Sequence, residues 1–339
     1  MQGLVQETGW SMDKVIVRTD DRARLLSAML AVTTWPEGEQ ARKPHGTHAH
    51  ARATRRYLSA NNKHPAVLVL QALLDKGAAL DSIYAYVLQL NWPGLSGREP
   101  PSWAPPTWAR HLLNFYQTTR LEAWWEDEAE VWEDALTETE KMFRSADLKA
   151  FLYPFVGDIP ETLIFMPNVC YPSDQEIGVH VRNELWCIAP PRIAWGDNPP
   201  WPFDEDPAHL FRAALSQFGR LAMIKYLNQH AQEVQAIAQK PLPVDGPFAQ
   251  AHPRWEEQFL ALYVTGLVAL YLDSAVSKQE ADAYILMEKK ASGVKVLPGV
   301  VSVLRRYLSG HESGQYSGFI DYLPHFGNHL RVAKTITAL

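Results

Sequence analysis

Ser216, Gln217 and Arg220 stand at positions i, i+1 and i+4 of the run Leu215-Ser216-Gln217-Phe218-Gly219-Arg220-Leu221. On a helix that spacing puts the first and last side chains on one face. Histidines at those two positions would bind a zinc ion, and a glutamate after the first would activate its water. Serine, glutamine and arginine do neither. An amide takes no proton from water at neutral pH, and a guanidinium is never deprotonated to become a ligand. The stretch has the layout of a hydrolytic metal helix with ligand, base and ligand all replaced, so no metal and no other cofactor is expected there.

Other chemistry-bearing groups are scattered. His45, His48 and His50 bring three imidazoles into one short glycine-containing segment with no acidic or cysteine partner, which reads as a solvated histidine-rich loop. His64 precedes Pro65 at a helix start, where an imidazole serves as a cap. Ser216 has no histidine four residues on to act as its base. Cys170 and Cys187 are the only cysteines, too few for a disulfide framework, and both are expected as free buried thiols. The segment Gly293 to Gly299 lacks the glycine spacing of a phosphate loop.

The elements that position the central motif are legible around it. Asn183 to Ala189 has the β-branched and aromatic content of a strand and is closed by Pro190-Pro191. A Gly/Pro-rich turn, Trp195 to Pro202, follows it. Asp206-Pro207 then supplies an N-cap and a first-turn proline for a helix over 207–230. A second helix begins at Pro253, with Glu256 and Glu257 in its first turn. Together with Asn62-Lys63-His64-Pro65-Ala66-Val67 and with Pro167-Asn168 at a strand end, this order resembles the zincin-like gluzincin metallopeptidases, and within them a family of uncharacterised bacterial proteins. The resemblance spans most of residues 60–275. It implies a zincin-like fold, with Glu256 or Glu257 at the third ligand position. Active relatives would carry His-Glu-Phe-Gly-His or similar over 216–220. Ser216, Gln217, Arg220, Glu256 and Glu257 are therefore expected as vestigial positions, with Arg220 paired to one of the two glutamates in place of a metal.

The remaining pattern is mostly helical. Lys14 to Arg18 reads as a first strand, and Asp20 caps a helix to about Thr33. Trp35 to Ala51 reads as a loop, 52–76 as two helices parted near Asn61-Asn62, and Leu80 to Leu90 as another. Five prolines and two glycines mark 91–107 as a boundary loop. Trp108 to about Lys149 is helical, with Leu121, Trp125, Trp132 and Leu136 inward and an acidic face outward. Strands resume at Thr162 to Met166. Helices follow over Lys278 to Lys290 and Val300 to Ser309, and Tyr316 to Leu323 reads as helix or loop. The fold class is α+β, mainly helical, with a small mixed sheet backed by long helices. Residues 1–150 form a helical N-terminal lobe and 151–339 the zincin-like lobe, as two closely packed parts or one compact domain.

Composition limits the function. With 339 residues, 47% hydrophobic and 21% charged, the chain builds a sizeable core. A net charge of −6, from 38 acidic and 32 basic side chains, argues against nucleic acid as a main partner. Met1 to Lys14 has neither a basic nor an apolar leader region, and no apolar run is expected to span a membrane, so the protein is expected to be soluble and cytoplasmic. Of the 12 tryptophans, Trp186, Trp195 and Trp201, with Glu184, are candidate binding residues beside the 183–189 strand. Three functions follow as expectations. The first is an inactive metallopeptidase-like protein holding an extended peptide along that strand's edge. The second is a hydrolase with a relocated metal site built from histidines such as His64, His180 or His209. The third is a binding protein with an aromatic groove.

Overall fold

The computed structural model describes residues 14–330, so most of the segment read as lacking a leader lies outside the described residues. Asp20 caps the first helix as its sequence signals, accepting the Arg22 N–H. The N-terminal part runs β1 (Ile16–Val17), α1 (Asp21–Leu30), α2 (Trp35–Arg42), α3 (Ala49–Tyr57), α4 (Pro65–Asp75) and α5 (Leu80–Gln89). The segment read as a loop, 35–51, is thus largely helical. Pro36 occupies the first turn of α2, and the helix is held from outside by its buried Glu39 rather than by an apolar stripe. After the proline-rich 91–107 loop come α6 (Trp108–Thr118), α7 (Leu121–Asp127) and α8 (Ala129–Phe143). Arg120 in the left-handed region and Glu128 break what the periodicity read as one long helix.

Next come α9 (Leu148–Val156), β2 (Thr162–Pro167), β3 (Ile177–Val181), β4 (Glu184–Ala189) and α10 (Pro207–Gln229). The short α11 (Ala231–Ile237) and α12 (Gly246–Ala251) lead to α13 (Trp255–Ala275), α14 (Lys278–Ala291), α15 (Leu297–Glu312) and α16 (Phe319–His329).

The sheet has the order β1-β2-β4-β3. Strands β1, β2 and β4 are parallel, and β3 runs antiparallel to β4 across a tight hairpin with Arg182 at φ 55°. The two central strands read as near-continuous apolar runs because both their faces are covered. Phe165 packs on Phe143 of α8, and α10 lies against β3 and β4. By alternation, Ile164, Met166, Trp186 and Ile188 bury the other face. Because β1 comes from the N-terminal part and pairs with β2, and α5 packs on β3, the described residues before and after 150 share one sheet and one core.

Helix α13 is, among the described residues, the one helix whose length and mean hydropathy would allow it to cross a membrane. It sits inside the protein, packed on α10, α14 and α15. Its contact with α10 is close because Gly219 leaves room for Leu267; a Cβ there would lie 2.6 Å from Leu267 Cδ2.

The approach of α10 to β3 depends on a second glycine. A Cβ on Gly178 would stand 2.8 Å from Gln217 Cβ, which is fixed to the helix backbone. Gly178→Ala is expected to push strand and helix apart and cost about 1–3 kcal/mol, as overpacking does. Urea denaturation checks this; an unchanged midpoint would show that the interface gives freely.

Candidate functional site

Arg220 does not meet Glu256 or Glu257. Its Nη2 donates to Asp81 Oδ2 at 2.8 Å, to Gln217 Oε1 at 2.9 Å and to the Gly178 carbonyl at 3.1 Å. The physical reason is helix geometry. The α10 face carrying Gln217 and Arg220 turns toward β3 and α5, whereas the Gly219 face meets α13 at Leu267. Glu256 is 11 residues before Leu267, about 16 Å up the helix axis. Glu257 is used locally, accepting from Arg254 Nε at 2.7 Å and from the Arg254 N–H at 3.1 Å. Ser216 is half-buried on the same helix. Gln217 and Arg220 thus form a joint that fastens α10 and α5 to the β3 backbone.

The candidate binding residues also separate. Trp186 is fully buried in the sheet, its indole donating to Glu184 Oε2 at 3.0 Å. Glu184 in turn holds Arg18 at 2.7 Å, and the Arg18 guanidinium lies 4.7 Å from the Trp186 ring. These two residues are core and staple, not a ligand surface. Nor can a peptide add along β4, because that strand is paired on both sides, by β2 and β3. Trp195 and Trp201 are on the surface, Trp195 at 87% exposure.

The histidines do not converge. His64 caps α4 and meets Asn114 at 2.9 Å. His180 lies 3.8 Å from Glu161, whose carboxylate is taken by Lys225 at 2.6 Å. His209 donates through Nε2 to the Pro190 carbonyl at 3.0 Å. Among the described residues no three His, Cys, Asp or Glu side chains come together as a metal set. The 45–50 segment is not a solvated loop. His48 caps α3, and His45 and His50 are buried. His50 Nδ1 lies 2.9 Å from Glu128 and its Nε2 accepts from Trp132 at 3.2 Å, so a partner 78 residues away supplies the acid that its neighbours lack.

What the fold does build is a cleft of about 560 Å³ outside the carboxyl ends of β2 and β4. Open sheets with parallel strands bind ligands at such crevices. One wall is the 190–195 segment after β4, another the start of α10, and a third α14 with Tyr284 and Met287. Trp195 stands at the rim with the Lys43 ammonium 5.9 Å from its ring, and Arg192 covers Trp201 at 5.4 Å. Arg212 projects from α10 between Glu176 at 3.2 Å and His209 Nδ1 at 3.4 Å. Burial and the neighbouring Arg212 charge hold the His209 pKa down to about 4, leaving a neutral imidazole that fixes the guanidinium.

The turn after β2 forms a further part of the lining. Asn168 at the strand end organises it, accepting the Cys170 N–H at 3.2 Å and donating to the Pro172 carbonyl at 3.3 Å. This delivers Ser173 and Asp174 to the cleft. Ser173 is tied to the buried Glu39 of α2 by its N–H, 2.8 Å from Oε1, and by its hydroxyl, 2.6 Å from Oε2. The Trp35 indole donates to the same Oε1 at 2.6 Å, and His45 Nε2 lies 3.1 Å from Ser173 Oγ. Burial, with the Asp174 charge nearby, raises the Glu39 pKa to about 7 against the hydrogen bonds that lower it. Sequence reading missed this group. Glu39 sits in a polar run and Ser173 in a turn 134 residues away, with Pro172 marking only the turn.

Compared with family models, with curated proteins and with solved structures, the chain matches none.

Proposed function

We propose that this protein is a soluble, cytoplasmic binding protein of zincin-like architecture without zinc-peptidase chemistry, and that it holds a peptide or protein segment in the cleft at the carboxyl ends of the sheet. The observation that carries this reading is the rim. Trp195 and Met287, both exposed, border a cleft whose wall is otherwise rich in proline and alanine. An exposed tryptophan beside a concave surface is suited to anchor a bound segment. The charges within the cleft are of both signs and largely paired to one another, Arg212 with Glu176 and Arg192 with Asp206. Such a lining suits a peptide better than a polyanion, and it agrees with the acidic net charge in disfavouring nucleic acid.

Panning a displayed random decapeptide library on the full-length protein tests the proposal. Enriched peptides should bind at micromolar strength and lose about tenfold or more on Trp195→Ala, the scale of an aromatic anchor. Peptides equally insensitive to Trp195→Ala and Met287→Ser would place binding elsewhere. Protein purified without a histidine tag and dialysed against trace zinc should retain no stoichiometric metal, and retention would restore the hydrolase reading.

A further inference from the structure

We infer that Ser173, which lines this cleft, is a nucleophilic serine with His45 as its base, acting on esters of apolar acyl groups. The inference rests on the cleft being the working site and goes beyond binding.

The geometry is that of an activated hydroxyl. Ser173 Oγ lies 3.1 Å from His45 Nε2, and His45 Nδ1 lies 2.8 Å from the Lys43 carbonyl oxygen. A carbonyl only accepts, so Nδ1 carries the ring proton and Nε2 presents its lone pair to the serine. This is the base-and-orienter arrangement of nucleophilic catalysis, with a main-chain carbonyl as the orienter. The residue is also fixed through its main chain. Gln40 accepts the His45 N–H at 3.2 Å and donates to the His45 carbonyl at 3.0 Å, clamping that residue's backbone on both sides.

Counting protons gives Glu39 a place in the same group. Ser173 has one hydroxyl proton and two acceptors facing it, His45 Nε2 and Glu39 Oε2, the latter at 2.6 Å. Both contacts become hydrogen bonds only when the group holds one further proton. With that proton on Oε2, the carboxyl donates to Oγ and the serine proton is directed at Nε2. Glu39 Oε1 remains an acceptor for Trp35 Nε1 and the Ser173 N–H, so the carboxyl is oriented whether or not Oε2 is protonated.

In the reaction, Oγ attacks the acyl carbonyl carbon as its proton passes to Nε2. Collapse of the adduct breaks the bond to the leaving oxygen, which takes that proton and departs as an alcohol. Water then attacks the acyl-serine by the same route, releasing the acid and returning the proton to Ser173. The acyl class follows from the walls: Pro190, Ile193, Ala194, Leu272 and Met287 line the same cleft as Ser173 and give it apolar surface.

The test is covalent. Full-length protein is incubated with a fluorophosphonate probe, digested and mapped by mass spectrometry, with hydrolysis of 4-nitrophenyl butyrate followed in parallel. Phosphonylation should fall on Ser173, vanish in Ser173→Ala, and slow by about a hundredfold in His45→Gln, the scale of a lost general base. Unmodified Ser173 in folded wild-type protein, under conditions that label a control serine hydrolase completely, overturns the inference. Equal labelling of other serines overturns it too. If His45→Gln fails to fold, the wild-type map decides. Peptide capture by the wild type tells the two proposals apart, because capture without phosphonylation removes the nucleophile and leaves the binding cleft standing.

Discussion

Glu39→Gln is expected to be more stable than the wild type above pH 7 and nearly equal to it at pH 4.5. Glu39 is buried, and its pKa is raised from 4.5 to about 7. The folded state therefore keeps a proton that the unfolded state gives up, and stability falls as pH rises through this window, levelling off above about 7. A shift of that size corresponds to at most roughly 3 kcal/mol. Glutamine reproduces the protonated pattern: its oxygen accepts from Trp35 and the Ser173 N–H, its nitrogen donates to Ser173 Oγ, and the serine proton is free for His45. It satisfies the site at every pH.

Other groups titrate in the same range but cancel in the comparison. His48 and His209 have pKa values lowered to about 4 by burial, so their contribution is present at neutral pH and is lost as pH falls below about 6.5 and on through 4. Both are common to the two proteins. The residues around Glu39, namely Trp35, Ser173, His45, Asp174 and Tyr84, are the same in both proteins. The measurement is urea denaturation of both proteins from pH 4.5 to 8.5. A stability difference that stays flat across that range would refute the buried proton.

Arg220→Ala should cost about 2 kcal/mol. The guanidinium gives hydrogen bonds to Asp81, Gln217 and the Gly178 carbonyl, tying β3 to two helices. Charge-assisted bonds of this kind are worth more than neutral ones, but both charged side chains are about a third or more exposed, at 33% and 41%, so solvent screens the ionic part. Most of the loss should come from the carbonyl and amide partners. Asp81→Ala alone should then cost under about 1 kcal/mol, and the double-mutant cycle should show a coupling of about 0.5–1 kcal/mol. Arg220→Lys is expected to restore part of the loss, because all three acceptors face the single nitrogen Nη2 and an ammonium has three donors, while the further Nε contact to Gln217 at 3.3 Å is lost. A neutral Arg220→Ala would mean that α5 closes the β3 edge unaided. Glu256→Ala and Glu257→Ala should leave this joint untouched.

Where the local code is strong, the elements can be read straight from the residues. Asp20, His64 and Asp206-Pro207 announce helix starts that α1, α4 and α10 occupy. The apolar runs of β2 and β4 announce buried strands. The α+β class, mainly helical with a small mixed sheet, follows from those elements alone. Strand β3 escaped notice because Gly178 and His180 interrupt the apolar pattern, and its edge is secured by Arg220 and α5, not by its own composition.

The site was decided by tertiary structure. Motif spacing shows that Ser216, Gln217 and Arg220 share a helix face, and residue chemistry shows that they cannot bind or use zinc. Neither says what that face meets, and the partner is Asp81, 139 residues away. Trp186 and Trp195 are the same residue type nine positions apart, yet one is core and the other rim, because strand pairing buries the first and the turn after Pro190-Pro191 carries the second outward. Glu39, His45 and Ser173 come together only because Asn168 shapes the turn after β2 and α2 docks beside it. Periodicity and capping are local and can be read along the chain. Contacts between groups more than a hundred residues apart depend on how the packed elements dispose their faces, and only the folded sheet and its helices fix that.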